Sequence, residues 1–175
     1  MSMIYRKATI DDLDAIERIY SRTHDAEEEG LTTIGWKKTI YPTRETALAS
    51  LERDDMYVCE NDGVIIATAI INQIQVDVYA DVSWEREARD EEVLVLHTLA
   101  VDPSSRYSGV GKGFVKYYED KGREMKCTDL RMDTNAINKI ARHFYAEMGY
   151  KEVGIVPTVF NGIPGINLVM LEKVV

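Results

Sequence analysis

Cysteine and histidine are scarce in this chain: it has two of the first and three of the second. Cys59 and Cys127 lie far apart and show neither metal-ligand spacing nor a disulfide framework, so each is expected to be a buried, reduced thiol in a strand context, and no metal is expected. Long apolar runs are missing as well. None approaches the roughly 20 residues that cross a bilayer, and polar and charged residues follow Met1 too soon for a signal peptide. A cytoplasmic location without a membrane partner is therefore expected. Basic residues are outnumbered, 21 against 30 acids, for a formal net charge of −9. A surface of that sign repels phosphate backbones, so nucleic acid is not expected as a partner either. No repeat, low-complexity tract or Pro/Gly/Ser linker divides the 175 residues, which predicts a single domain over 1–175.

Hydrophobic periodicity orders what is present. Met3 to Lys7 reads as a strand, and Thr9 with Asp12 reads as a capping box before a helix whose inner face is Leu13, Ile16 and Tyr20. A second helix is predicted from about Pro42-Thr43 toward Arg53. Met56 to Glu60 and Val64 to Asn72 flank Asn61-Asp62-Gly63, a strong hairpin signal. Gln73 to Asp90 reads as a strand end and loop, and Val93 to Val101 as a long apolar strand stopped by Asp102-Pro103. A glycine-rich loop then leads to a helix that turns Val110, Phe114, Tyr117 and Tyr118 inward. A short strand, Asp129 to Asp133, precedes a helix from Ile137 to Met148 with Ile137, Ile140, Ala141, Phe144 and Met148 on its apolar face. Two last strands, near 150–156 and 167–173, flank an irregular loop holding Gly162, Pro164 and Gly165. The order β-α-α-β-β-β-α-β-α-β-β predicts an α/β protein with a mixed sheet covered by helices on both faces.

The segment Arg106-Tyr107-Ser108-Gly109-Val110-Gly111-Lys112-Gly113 joins a strand to a helix and has a clear physical use. Glycines let the backbone approach a bulky anion, and the free amides of a helix start, aided by the helix dipole, point at phosphate. The segment lacks the Ser/Thr of a Walker loop and the glycine offset of a dinucleotide fingerprint. Alone, it is also compatible with a glycine-rich turn that holds nothing. A second constellation lies downstream: Asn138, Ala141 and Tyr145 share one side of the last helix, at spacings i, i+3 and i+7. Tyr145 at the edge of the apolar stripe can pack its ring and show its hydroxyl to a cleft.

Together, His97-Thr98-Leu99-Ala100-Val101-Asp102-Pro103, the Arg106 to Gly111 loop, and Asn138 to Tyr145 followed by Gly149-Tyr150 resemble the GNAT acetyltransferase superfamily over nearly the whole chain. The resemblance implies the acyl-CoA N-acyltransferase fold, with about seven strands. It also implies acetyl-CoA as co-substrate and direct attack of an amine on the thioester, without a metal. By the same resemblance, backbone groups of Leu99, Ala100 and Val101 and amides from Arg106, Tyr107, Ser108, Gly109, Val110, Gly111 and Lys112 would hold the coenzyme, with Asn138 and Ala141 beside them. Tyr145 would be the general acid.

The amine must lose a proton before attack. His97 is the leading base, since it shares strand parity with Leu99 and Val101 and titrates near neutral pH; Glu91 and Glu92 acting through water are alternatives. Relatives of this kind recognise acceptors with the first two helices and the loop before the central strand. Here those regions hold Glu27, Trp36, Tyr79 and Trp84, alongside His24, Tyr41, Asp81 and Glu85, an aromatic and acidic set suited to an ammonium. The expected acceptor is a small-molecule primary amine. The alternatives are a protein lysine or N-terminus, or a module that binds acetyl-CoA without turnover. Homodimers are frequent in such families, so a homodimer is a further expectation.

Overall fold

The computed structural model describes residues 2–175. The elements follow the predicted order: β1 (Met3–Lys7), α1 (Leu13–Glu28), α2 (Arg44–Glu52), β2 (Met56–Asn61), β3 (Val64–Asn72), β4 (Val93–Val101), α3 (Val110–Glu124), β5 (Asp129–Asn135), α4 (Lys139–Glu147), β6 (Lys151–Phe160) and β7 (Ile163–Val174). Seven strands form one sheet in the order β1-β2-β3-β4-β5-β7-β6. Among the described residues only β4 and β5 pair in parallel; every other neighbour is antiparallel.

Each helix starts where local chemistry dictates. The Asp12 carboxylate accepts the Thr9 amide at 2.8 Å ahead of α1, and Thr43 and Thr46 make the equivalent exchange ahead of α2. The apolar stripes of α1 and α2 bury Ile16, Ile19, Tyr20 and Ala47 against Met56, Val58, Ile70 and Ala100 on one face of the sheet. On the other face, Phe114, Val115 and Tyr118 of α3 and Tyr145 of α4 pack on Leu94, Leu96, Leu130, Met132 and Leu171. A third cluster, Tyr79, Val93, Val95, Leu168 and Met170, fills the space beneath the 73–92 segment.

Three expectations need correction. α4 begins at Lys139 rather than Ile137, and Ile137 and Ile140 are 55% and 80% exposed; its packing face is Ala141, Phe144, Tyr145 and Met148. The two last strands are longer than predicted and form a hairpin around Asn161-Gly162, with Pro164 and Gly165 inside β7. The ladder shifts register between Thr158 and Phe160, and that irregularity accommodates a proline, which cannot donate, within the strand. Cys127 is buried just before β5 rather than within a strand, while Cys59 is buried in β2.

Two departures from sheet regularity shape the centre of the molecule. β4 and β5 pair from Val93–Asp129 to Leu96–Met132 and then part. Beyond that point β4 stays with β3 as far as Val101–Ala67, and β5 stays with β7 as far as Asn135–Leu168, so a cleft opens through the sheet. At the same place β4 bulges: Ile70 faces His97 but Thr68 faces Ala100, and Thr98 takes φ 51°. Thr98 is a β-branched residue in left-handed backbone, an outlier of the kind that clusters at functional sites.

Candidate active site

Two cavities meet at the cleft. The narrower, about 110 Å³, runs between Leu99 of β4 and Asn138, Ala141 and Tyr145 of α4, with Ile34 to Trp36 across its mouth. The wider, about 380 Å³, lies on the α2 side and is lined by Arg53, Asn72, His97, Tyr41 and residues of the β6–β7 hairpin. Leu96, Thr98, Asp133, Phe160 and Leu168 line both, so the two spaces join at the point where the strands part.

The narrow cavity gathers the α4 constellation as its spacing predicts. Asn138 caps α4, its Oδ1 accepting the Ala141 amide at 3.1 Å, which leaves its side-chain NH₂ as the free polar group. Tyr145 is buried against Phe144 and Tyr150, and among the described residues its hydroxyl makes no hydrogen bond with protein. Burial, and then the nearby Asp133 charge, push its phenol well above the ordinary value, so it remains a proton donor at neutral pH.

The glycine loop divides into two parts. Gly109 is the N-cap of α3 in left-handed backbone, φ 77°, with open space where a Cβ would point. Arg106, Tyr107, Ser108 and Lys112 are exposed around it, and the amides of Val110, Gly111 and Lys112 begin the helix, an anion cradle open to solvent. A Cβ on Gly111 would meet Phe144 and Val101 at ordinary contact distance. Gly113 serves packing instead: a Cβ there would lie 2.0 Å from the Tyr5 hydroxyl, which donates to the Val110 carbonyl. The three β4 residues whose backbone is expected to hold the coenzyme arm all lie past the point where β4 leaves β5; the Leu99 side chain lines the narrow cavity, that of Val101 packs in the α3 core, and that of Ala100 turns to the α1 side.

His97 is in the wide cavity, not on the face of Leu99 and Val101. The predicted shared parity fails because the bulge at Thr98 inserts one residue between them. A polar chain holds the ring: His97 Nε2 lies 2.8 Å from Asn72 Oδ1, the same Oδ1 accepts the Ile74 amide, and Asn72 Nδ2 donates to Asp55 at 3.0 Å. Both contacts orient the Asn72 amide, so Nε2 must donate and Nδ1 carries the lone pair. Burial pushes the imidazole down to about 4, which keeps it neutral at physiological pH.

Asp133 was not singled out in the sequence, yet it is the one carboxylate shared by both cavities among the described residues. The Tyr79 hydroxyl donates to its Oδ2 at 2.7 Å. Burial raises the carboxyl to about 6, and the Tyr79 hydrogen bond pulls the other way. It stands on β5 just past Met132, the last residue paired with β4.

The expected acceptor residues largely do other work. Glu27 is saturated by the Thr32 hydroxyl and the Ile34 and Gly35 amides, at 2.8–2.9 Å, so it shapes the segment across the narrow cavity and lines neither space. Trp36 lines the narrow cavity and packs on the α1 core. Tyr79 acts through Asp133 from a fully buried position. Trp84 lies away from both cavities, donating to the Tyr79 carbonyl and stacking under Arg131, whose guanidinium is 4.2 Å from its ring. Glu91 and Glu92 pair with Arg89 at the foot of β4 and line neither cavity. Among the described residues no cluster of three or more His, Cys, Asp and Glu could hold a metal ion, and no helix is long and apolar enough to cross a membrane.

Comparison with known proteins places this geometry. The family model described as "Acetyltransferase (GNAT) family" matches residues 13–150. Two uncharacterized N-acetyltransferases of Methanocaldococcus jannaschii are 25% and 27% identical over 86% and 89% of the chain, which spans 62% of the length of the first and 82% of the second. Among solved structures, an acetyltransferase of the GNAT family from Streptococcus agalactiae superposes with a TM-score of 0.80 at 21% identity, over 99% of this chain and 95% of that one. The Salmonella typhimurium protein yncA, solved with its cofactor acetyl-CoA, superposes with a TM-score of 0.70 at 17% identity, over 99% and 94%.

Proposed function

The chain belongs to the GNAT family of acetyltransferases, and from that premise we propose that it moves an acetyl group from acetyl-CoA to a primary amine of a small molecule. The observation that carries this reading is the junction of the two cavities. A phenol stands in one, a carboxylate is shared by both, and an imidazole stands in the other. The open strand cleft and the exposed amides at Gly109 fit an extended, phosphate-bearing coenzyme. When bound, acetyl-CoA supplies the acetyl thioester, whose C–S bond breaks as the new C–N bond forms. Asp133 seats the incoming ammonium and takes its proton, since a carboxyl titrating near 6 is ionised at neutral pH and still basic enough to accept. Tyr145 donates its phenolic proton to the departing thiolate. His97, neutral with Nδ1 unprotonated, is the second proton acceptor of the wide cavity.

Release of free thiol from acetyl-CoA, measured over a panel of amines, tests the reading. Native protein should turn over at least one primary amine. Tyr145→Phe should lower kcat by about 10²-fold or more, with coenzyme affinity and melting temperature unchanged. Unaltered kcat in that variant would remove Tyr145 as the acid. Tight acetyl-CoA binding without release for any amine would leave a binding module instead.

A further inference from the structure

The wide cavity holds one cation. Arg53, the residue that ends α2, lines it together with Asp133 of β5, and among the described residues it is the only Lys or Arg to do so. Its fork is half used. Nε and Nη2 grip Asp55 at 2.8 and 3.2 Å, Nη2 also reaches Ser50 at 3.1 Å, and Nη1 makes no hydrogen bond with the described residues. Asp55 is itself covered, taking both Arg53 and the Asn72 amide, and it does not line this cavity. The guanidinium is therefore oriented from behind, with one NH₂ edge to offer. A rigid fork with a free edge suits a carboxylate or another oxyanion.

Position sets the length of what fits between the two charges. Asn72, which shares Asp55 with Arg53, is on β3, and Asp133 is on β5, with β4 between them. Two paired-strand spacings are roughly 10 Å, and β5 has already left β4 at Asp133, so the two strands stand at least that far apart there. An ammonium on Asp133 and an oxyanion on Arg53 must then be several bonds apart in one molecule. An α-amino acid reacting through its α-amine is too short. Between the two ends the walls are apolar or weakly polar, including Ile70, Ile74 and Val159.

We infer that the acceptor is a zwitterion, a primary amine carrying an oxyanion such as a carboxylate about four to six carbons away, and that Arg53 is the residue that selects it. This rests on the reading of the site as an amine acetyltransferase. The net charge of −9 gives the surface no general attraction for anions, so selection for one falls to this single side chain.

Thiol release tests this with 5-aminopentanoate and 6-aminohexanoate, each against the n-alkylamine and the α,ω-diamine of equal length. Native protein should favour the amino acid in kcat/KM by about tenfold or more, the range of one charge-assisted hydrogen bond. Arg53→Gln should erase that preference through KM while leaving kcat/KM for the alkylamine within about threefold, and Arg53→Lys should restore part of it. Equal loss on both substrates in a folded Arg53→Gln protein would make Arg53 purely structural and overturn the inference. So would alkylamines or diamines used as well as the amino acids by native protein. In either case acetyl transfer to amines still stands, whereas the absence of turnover on any amine removes the underlying reading and this inference with it.

Discussion

Asp133 combines two consequences in one side chain. Its carboxyl is raised from an ordinary 3.8 to about 6 by burial. The folded state therefore binds a proton more readily than the unfolded chain, and the stability this adds is present at low pH and lost as pH rises through 6. Above that point the ionised group costs up to about 3 kcal/mol. Asp133→Asn should consequently raise the melting temperature at pH 7.5 and change little at pH 4, as thermal denaturation at the two pH values would show. The same variant should lower kcat by about 10²-fold and remove the additional loss of kcat/KM expected below about pH 6. His97→Ala should keep that acid limb, because the imidazole is already neutral down to about pH 4. A limb that survives in Asp133→Asn and vanishes in His97→Ala would exchange the two roles. The sequence could not point to Asp133, a lone carboxylate in an ordinary strand; its meaning comes from where β4 leaves β5. That Tyr145 and Asn138 line one cavity was legible because one helix and its cap set their spacing.

Among the elements, the glycine loop shows how much a motif conceals. Gly109 and Gly113 look equivalent in the sequence, but one faces open space in left-handed backbone and the other faces the Tyr5 hydroxyl. Gly113→Ala should cost about 1–3 kcal/mol of stability through that crowding and leave the acetyl-CoA dissociation constant of the folded protein intact. Gly109→Val should instead weaken coenzyme binding sharply, with a stability cost of about 1–2 kcal/mol for the strained φ. Denaturant titration and calorimetric binding separate the two; equal losses of affinity would extend the phosphate cradle to Gly113. The hairpin at Asn61 to Gly63 was readable because its turn residues stand between clean apolar runs. The one at Asn161-Gly162 was obscured by Pro164 and Gly165, which read as breakers yet are absorbed by an irregular ladder. The 73–92 segment, polar and without periodicity, concealed that Trp84 is an anchor: it bonds the Tyr79 carbonyl from beneath Arg131, and Tyr79 in turn holds Asp133.

On the scale of the whole molecule, the element order and the two helical layers followed from periodicity, which is a local property. The cleft did not, because a parallel pairing that stops after Leu96–Met132 is a relation between strands 36 residues apart. Among the described residues that short ladder is the only β-pairing between the β1–β4 and β5–β7 parts of the sheet. A ligand lying in the cleft should tie the two parts together. Hydrogen exchange with saturating acetyl-CoA should slow most at 97–101 and 133–135, and much less at the β1–β2 edge; protection confined to the Gly109 loop would place the coenzyme arm elsewhere. The extra residue at Thr98 has a consequence for how such a chain can change over time. On the proposed reading, His97 just before it looks into the acceptor space and Leu99 just after it into the donor space, so a substitution at 97 can retune what is acetylated without changing the side chain beside the acetyl source. A one-residue deletion there would reverse the facing of everything on one side of it, so the position should tolerate replacement far better than loss.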